Sequence, residues 1–263
     1  MKRISLLVMI TLVSVLTARA LPISWSSPGT TPDFGQQYNS AWSSGYCAPT
    51  AAADGIYWLG QYNTNLLQGN PVGNDSGASA IISQLGGFMG TDPTNGTSAS
   101  GIVKGLNTYL GDYGGSQTYS VSLTYADEIG GGTNLLEDME IDLMGGQVVL
   151  PLIIWNGTDI GHVVDMTGWD TNDITIKDPD AYPYSIYWSD TSLAANISGY
   201  PTSPIDGIGI SYVSDGYNEA GTIEGFVGIS DNSTESSVPE PGTFILVGLG
   251  MTFLSRRVRW AKG

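Results

Sequence analysis

The sequence predicts an α+β fold, in which a helical first half packs against an antiparallel β-sheet formed by the second half. Two observations predict this class. Between residues 47 and 110, apolar residues recur at helical spacing in segments that glycines separate. After Gln147 the apolar runs are short and bounded by turn residues, which is typical of strands. These strands are predicted at 148–155, 162–168, 174–177, 184–188, 207–212 and 223–229.

The first predicted helix begins at the only cysteine of the chain, after an extended lead-in over residues 22–45. Pro49 suits a first helical turn, where its missing N–H is not needed, and Ala52, Ile56 and Leu59 share one buried face. A thiol at a helix N-terminus lies near unpaired N–H groups, which favour the thiolate. Cys47 is therefore a candidate nucleophile, or alternatively a small buried apolar residue.

The elements between this helix and the sheet follow from the same patterns. Helices are predicted over 80–85 and from Ser98 or Ser100 to residue 110. Strict alternation of apolar and polar residues over 118–125 predicts a strand with one solvated face. A further amphipathic helix is predicted over 134–144, where two glycines end it.

The chain also has one histidine, and an aspartate that a hairpin would bring to it. His162 opens one predicted strand and Asp178 ends the next. If Met166 pairs with Ile174, the apolar side chains of both strands share one buried face. His162 then lies across from Asp178, with Cβ atoms about 5 Å apart, which allows an imidazole–carboxylate hydrogen bond.

The opposite face of this hairpin is mostly polar, and we expect it to face solvent. Asp165, Asp173 and Lys177 lie on it, so the register selects Asp178 as the partner of the imidazole. Asp180 follows a proline, which cannot donate to a strand ladder and is expected to end the strand. Substitution of Asp165 by alanine is accordingly expected to change little.

Together, Cys47, His162 and Asp178 have the residue types of a nucleophilic triad. The imidazole would take the proton from the thiol, and the carboxylate would hold the ring in the correct tautomer. One cysteine and one histidine do not form a zinc cluster of the usual spacing, and no cofactor is predicted. The acidic turns at 170–173 and 178–180 are candidates for calcium binding. Trp155 is interpreted as a core aromatic residue.

The segments around the triad resemble papain-like cysteine peptidases of the C39-like group. They are Cys-Ala-Pro-Thr-Ala-Ala-Ala at a helix start, Gly-His-Val-Val-Asp-Met-Thr-Gly-Trp-Asp, and then Ile-Lys-Asp-Pro-Asp, in that order. The resemblance covers most of residues 36–180 and implies a papain-like fold with the site between helical lobe and sheet. It implies that Cys47 is the nucleophile, His162 the general base and acid, and Asp178 the orienting residue. It also implies an oxyanion-hole glutamine before the cysteine, for which Gln36 and Gln37 are available and Gln37 is assigned.

Both ends of the chain carry sorting signals. Two basic residues, an apolar run over 4–16 and a small-x-small site at 18–20 predict a secretory signal peptide over residues 1–20. At the other end, Pro239-Glu240-Pro241, an apolar run over 243–254 and three arginines resemble the PEP-CTERM sorting signal of exported bacterial proteins, on which an exosortase acts. The sequence thus divides into the signal peptide, a peptidase domain at 21–230, a polar linker at 231–237 and a tail at 238–263.

The apolar run of the tail is shorter than the ~20 residues of a stable spanning helix. Because arginines follow this apolar run, the tail is expected to hold the protein transiently in the inner membrane until an exosortase-type enzyme processes it. We therefore expect export, with the cell surface or the extracellular matrix as the destination.

The charge of the exported part limits the classes of partner that it can bind. All 25 acidic residues lie between Asp33 and Glu240, where only Lys104 and Lys177 are basic, so this part carries about −23. Such a surface repels nucleic acid, and the lone cysteine cannot form an internal disulfide. The sequence predicts an exported cysteine peptidase, or a related acyl-transfer enzyme, acting on a peptide or protein. The alternative is a non-catalytic surface or matrix protein that retains the fold.

Overall fold

The computed structural model describes residues 24–27, 31–36, 43–70, 75–158, 161–170, 173–180, 193–199, 207–214 and 217–232. The predicted signal peptide, Gln37, the predicted strand at 184–188 and the predicted sorting tail lie outside these residues. Within the described ranges, no helix is long and apolar enough to cross a membrane.

Helices dominate the first half of the described chain and strands the second, which confirms the predicted mixed architecture. The helices are α1 (Cys47–Gly60), α2 (Asp75–Met89), α3 (Ala99–Tyr113), the single turn α4 (Ala126–Ile129) and α5 (Gly132–Met144). The strands are β1 (Trp25–Ser26), β2 (Tyr119–Tyr125), β3 (Val148–Trp155), β4 (Gly161–Val163), β5 (Asp165–Trp169), β6 (Asp173–Lys177), β7 (Leu193–Gly199), β8 (Ile208–Ser214) and β9 (Tyr217–Asp231).

Helix α1 is central to the fold. Each of its residues is buried, so the apolar stripe predicted from the sequence understates its burial. Helices α2 and α3 cover one side of it, and β3, β4 and β5 lie against the other. Strand β3 approaches α1 closely at Gly55, where a Cβ atom would overlap the side chain of Val148. Only a glycine permits this contact, which fixes the depth of α1 against the sheet.

Helix α2 is longer than the predicted segment at 80–85 because tertiary packing offsets its low helix propensity. It contains three glycines, and glycine disfavours a helix interior. One of them, Gly86, allows the ring of Tyr46 to approach the helix, where a Cβ atom would clash. The cap of α3 is the predicted Ser98, whose Oγ accepts a hydrogen bond from Gly101 N at 3.1 Å.

The strands form an antiparallel sheet that closes on itself. Its order is β1-β5-β6-β7-β8-β9-β3-β4, and a further pairing of Val149 in β3 with Met166 in β5 closes a six-stranded barrel. Strand β2 pairs with β9 outside this ring. The sequence did not predict β7, whose Leu-Ala-Ala-Asn-Ile-Ser-Gly segment has few of the residues that favour strands.

Two apolar cores lie on the two faces of this sheet. The first joins α1, α2 and α3 to outward-facing residues such as Leu150 and Val227. The second lies inside the barrel, around Ile176, Ile210 and Phe226, and receives α5. Helix α5 contacts β3, β5, β8 and β9, so it lies across several strands of the barrel.

The predicted hairpin register is wrong by two residues. Met166 pairs with Ile176, not with Ile174, because the turn is tight: Asp170 N donates to Asp173 O at 2.8 Å. The first strand is also interrupted at Val164, which separates β4 from β5. A shift of two keeps Asp165 and Met166 on their predicted faces. A bulge between Met166 and Gly168 makes the shift three at Trp169, which pairs with Ile174 and lies on the face opposite to the predicted one. His162 therefore stays on the same face as predicted, although its ladder partner is a residue of β3.

The prediction that the polar face of the hairpin is solvated is also wrong. Asp165 is 3% exposed and Lys177 2% exposed. This face is covered because α1 contacts β5, and the buried segment 31–36 crosses beneath it, where Phe34 N donates to Asp54 Oδ1 at 3.2 Å. Asp165→Ala is therefore a core substitution, and we no longer expect it to be silent.

Candidate active site

Cys47 lies at the first position of α1, as predicted, directly after a 3₁₀ turn over Ser43–Tyr46. Its side chain is buried, yet it contributes to the wall of a cleft. The turn is held by Thr50, whose hydroxyl donates to Tyr46 O at 2.7 Å. The N-terminus of a helix is the positive end of its dipole, so this position favours negative charge on the sulfur.

Strand β4 brings the imidazole of His162 to the acid and the thiol at the same time. Nε2 of His162 lies 2.7 Å from Oδ1 of Asp178, and the two residues are 5% and 1% exposed. The thiol of Cys47 lies close enough to the same ring to raise the pKa of His162. A second donor, Asp180 N, binds Asp178 Oδ1 at 2.9 Å and fixes the carboxylate. The structure therefore brings all three side chains together.

The charged forms of His162 and Asp178 stabilise each other. Burial by itself lowers the pKa of His162, but the charge and hydrogen bond of Asp178, and then Cys47, hold it well above its ordinary value. Burial likewise raises the pKa of Asp178, but the His162 charge and hydrogen bond and the N–H of Asp180 hold it below its usual range. The geometry thus favours an imidazolium that faces a carboxylate on one side and the sulfur on the other.

Aromatic rings cover the imidazole. Trp155, at the end of β3, stacks on His162 with ring centroids 5.4 Å apart and planes at 28°. Tyr212 of β8 lies against Trp155 at 5.9 Å, and its hydroxyl contributes to the lowered pKa of Asp178. The sequence interpretation of Trp155 as a plain core residue missed this contact. No local pattern signals it, since the three residues lie on three different strands.

The cleft separates the helical half from the sheet and has a volume of about 540 Å³. The loop 92–97 and the start of α3 form one wall, and β3 and β4 form the other. Hydrogen bonds within the loop hold its shape: Asp92 Oδ1 accepts from Thr94 N at 2.8 Å and from Asn95 N at 2.7 Å. It lies so close to Gly45 that a Cβ atom there would overlap the backbone of the loop. Cys47 and His162 both open into this space.

The assigned oxyanion residue, Gln37, is outside the described part of the chain, but its neighbour Gln36 is described. Gln36 is buried, and its backbone N donates to Pro179 O at 2.8 Å. Its Oε1 has no hydrogen-bond partner among the described residues. The segment before α1 is thus tied to the chain directly after Asp178.

The acidic turns do not form a metal cluster in the described ranges. There, no group of three or more His, Cys, Asp or Glu side chains is arranged to hold a metal ion. Asp170 instead caps its own turn, since its Oδ1 accepts a hydrogen bond from Asp173 N at 3.2 Å.

A second group of charges is buried behind the site. Asp33, Asp54, Asp165 and Lys177 come from three separate parts of the chain and are all at most 3% exposed. Burial, then Asp33 and Asp165, raise the pKa of Asp54 well above its ordinary value. Burial also raises the pKa of Asp165, against the opposing charge of Lys177, its partner across the β5–β6 ladder. Sequence reasoning missed this group because it assigned two of its members to the surface.

Comparisons with known proteins identify the tail. Residues 237–259 match the PEP-CTERM protein-sorting motif, which confirms the predicted sorting signal. The comparison with curated proteins gives no match.

Solved structures that are similar to this chain include a peptidase domain and a cysteine protease. The peptidase domain of Streptococcus ComA, a bifunctional ABC transporter involved in quorum sensing, has a TM-score of 0.37 and 14% identity, covering 76% of this chain and 96% of that one. A prointerpain A fragment from Prevotella intermedia gives 0.43 and 13%, with 84% and 79% covered. Active interpain A cysteine protease from the same organism gives 0.43 and 15%, with 78% and 94% covered.

Proposed function

We propose that this protein is an exported cysteine peptidase, or a related acyl-transfer enzyme, of papain-like fold, with its catalytic domain within residues 21–230. One observation carries the proposal. Cys47 at a helix N-terminus lies close to His162, whose Nε2 lies 2.7 Å from a buried carboxylate, and the sulfur and the ring both open into a cleft. These are the nucleophile, base and orienting group that acyl transfer requires.

The proposed reaction follows from this geometry. The thiolate of Cys47 attacks the carbonyl carbon of a peptide bond, and the carbonyl electrons move to its oxygen. The backbone N–H of Cys47 and the glutamine at position 37, or its neighbour Gln36, would donate to that oxyanion. His162 then gives its proton to the leaving amine, and a thioester with Cys47 remains. Water, or another amine, releases the acyl group after His162 takes its proton.

Asp178 supports each of these steps without contacting the substrate. Its hydrogen bond to Nε2 leaves Nδ1 of His162 available to exchange a proton with the thiol. Its charge stabilises the imidazolium that the thiolate needs as a partner. Trp155 covers the ring and keeps water from competing for the hydrogen bond between imidazole and carboxylate.

The reactivity of Cys47 tests this proposal directly. We expect iodoacetamide at pH 7 to alkylate Cys47 much faster than a free cysteine, because an imidazolium stabilises its thiolate. His162→Ala should slow alkylation by about 10²-fold. The chain has one cysteine, so mass spectrometry reports this site alone, and Cys47→Ala is the blank. An equal rate in the wild type, in His162→Ala and in free cysteine would contradict an activated thiol.

The PEP-CTERM motif implies export and recognition by an exosortase-type enzyme. We infer that a signal peptide at residues 1–20 directs export, and that residues 243–254 hold the protein in the inner membrane until processing. The polar linker at 231–237 would then separate the catalytic domain from the membrane.

Removal of the tail should therefore change the location of the protein. In a host without an exosortase, we expect the full-length chain in the membrane fraction, because the apolar run and its arginines stop transfer. Deletion of residues 238–263 should move it to the soluble exported fraction. Fractionation and immunoblotting measure both. A full-length protein that is freely soluble after signal cleavage would show that the tail does not anchor it.

A further inference from the structure

A β-bulge directs one charged side chain into the cleft. The pairing of β3 with β9 shifts between Leu152 and Ile153, whose partners are Gly225 and Ile223. Glu224 is therefore an extra residue of β9, without a partner of its own in this ladder. Bulges next to active sites re-aim a side chain in this way. Glu224 is exposed and contributes to the wall of the cleft.

Glu224 adds a negative charge to the wall of the cleft. Among the described residues, the ionisable side chains that line the cleft besides Cys47 and His162 are Glu224 and Tyr125. The other lining residues are glycine, threonine, asparagine, alanine and aliphatic side chains. Within the described ranges, Glu224 forms no salt bridge. A carboxylate at the wall of a cleft that no described lysine or arginine lines is a site for a positively charged group.

The sheet fixes the distance between this carboxylate and the reacting atoms. His162 pairs with Ile153 on β3, and β3 pairs with β9 beside Glu224. Adjacent strands are about 4.8 Å apart, so two strand spacings place the backbone of Glu224 about 10 Å from that of His162. An extended peptide advances about 3.3 Å per residue. Glu224 thus lies about three peptide residues from the imidazole.

The surroundings of Glu224 suit a long cationic side chain. Leu152 and Ile154 line the same cleft and provide apolar surface for a methylene stem. Tyr125, at the end of β2, pairs with Gly225, directly after Glu224, and its ring also lines the cleft. A tyrosine face attracts a lysine or arginine head group.

We propose that Glu224 selects peptides with a lysine or arginine about three residues from the bond that Cys47 attacks. This inference rests on the proposed peptidase function and names its substrate class. The carboxylate would accept hydrogen bonds from the ammonium or guanidinium group. The acidic exported part, with only two basic residues against 25 acidic ones, would also attract such peptides at a distance.

A positional scan tests the proposal on the full-length protein in detergent. Fluorogenic peptides would carry a lysine at each of three positions on either side of the cleaved bond, each matched to the same peptide with norleucine. At one position we expect kcat/KM to be about tenfold higher for lysine. Glu224→Gln should abolish this preference, and Glu224→Lys should transfer it to a glutamate peptide. Glu137→Gln makes the same charge change at an exposed position of α5 outside the cleft, and this variant should retain the preference for lysine.

Binding of the same peptides to the Cys47→Ala protein, measured by fluorescence anisotropy, separates this proposal from the peptidase function. If no peptide is cleaved but the lysine peptide binds more tightly in a manner that depends on Glu224, the cation site stands and the peptidase function fails. If peptides are cleaved and the lysine preference is absent, or survives in Glu224→Gln, the assignment of Glu224 is overturned. Equal binding of lysine and norleucine peptides to the Cys47→Ala protein also overturns it.

Discussion

Asp178→Ala is expected to lower kcat/KM by about 10²- to 10⁴-fold with the fold intact. The loss has two causes. Without the hydrogen bond to Nε2, the imidazole of His162 is free to adopt the wrong tautomer and orientation. Without the carboxylate charge, the imidazolium that stabilises the thiolate is less favoured. Turnover or active-site alkylation measures the loss, and circular dichroism checks the fold.

Asp178→Asn separates these two causes, because asparagine still accepts a hydrogen bond but carries no charge. Asp178 holds the pKa of His162 well above its ordinary value, so removal of its charge lowers that pKa. Activity that requires the imidazolium is lost as pH rises through this pKa. The alkaline limb of the pH–rate profile should therefore move to lower pH in Asp178→Asn, with a smaller loss of rate than in Asp178→Ala.

Asp173→Asn is the matched control for the choice of acid. Asp173 begins β6, which ends directly before Asp178, but it accepts a hydrogen bond from Asn196 Nδ2 at 2.9 Å and does not contact the imidazole. We expect its rate and pH profile to stay at wild-type values. An unchanged alkaline limb in Asp178→Asn, together with full activity of Asp178→Ala, would require a different partner for His162.

The local elements of the site could be predicted from sequence because each depends on residues close together in the chain. The start of α1 follows from Cys47, Pro49 and the alanines after them, since these residues decide a helix N-terminus locally. The face of the sheet that holds His162 and Asp178 follows from the alternation of the two strands. The alternation survives a shift of two residues, so the contact formed although the predicted register was wrong.

The features that the sequence did not predict depend on contacts between distant segments. The closure of the barrel needs β3 to meet β5, and no local pattern specifies that pairing. The polar face of the hairpin has the alternation of a solvated strand, but α1 and residues 31–36 cover it. The bulge at Glu224 likewise arises where the register between β3 and β9, which lie about 70 residues apart in the chain, shifts by one residue. In each case tertiary packing overrides the local signal.

Lys177→Met is expected to destabilise the protein by about 3–5 kcal/mol at pH 7, because it leaves buried carboxylates without their cation. Lys177 is 2% exposed and faces Asp165 across the ladder, with Asp33 and Asp54 close by. Methionine keeps the volume and the apolar stem of the side chain, so the charge is the main change. Thermal unfolding followed by circular dichroism gives the difference in the free energy of unfolding.

The pH dependence of this loss follows from the raised pKa values of Asp54 and Asp165. Above the unfolded value of about 3.9, the folded state holds more protons than the unfolded state until the pH passes the raised values. Stability from these two groups therefore increases as pH falls from neutral toward about 4. Protonated carboxylates no longer need Lys177, so the destabilisation by Lys177→Met should shrink over the same range.

Lys104→Met is the control, because Lys104 is exposed on α3 and is the other lysine of the described residues. Its unfolding temperature should stay close to that of the wild type at each pH. The double variant Lys177→Met with Asp165→Asn should recover part of the lost stability, since it removes the carboxylate directly opposite position 177. If Lys177→Met unfolds at the same temperature as Lys104→Met from pH 4.5 to 8, Lys177 does not stabilise the buried carboxylates. The raised pKa values of Asp54 and Asp165 would then reflect burial and the charge of Asp33, without a measurable opposing contribution from Lys177.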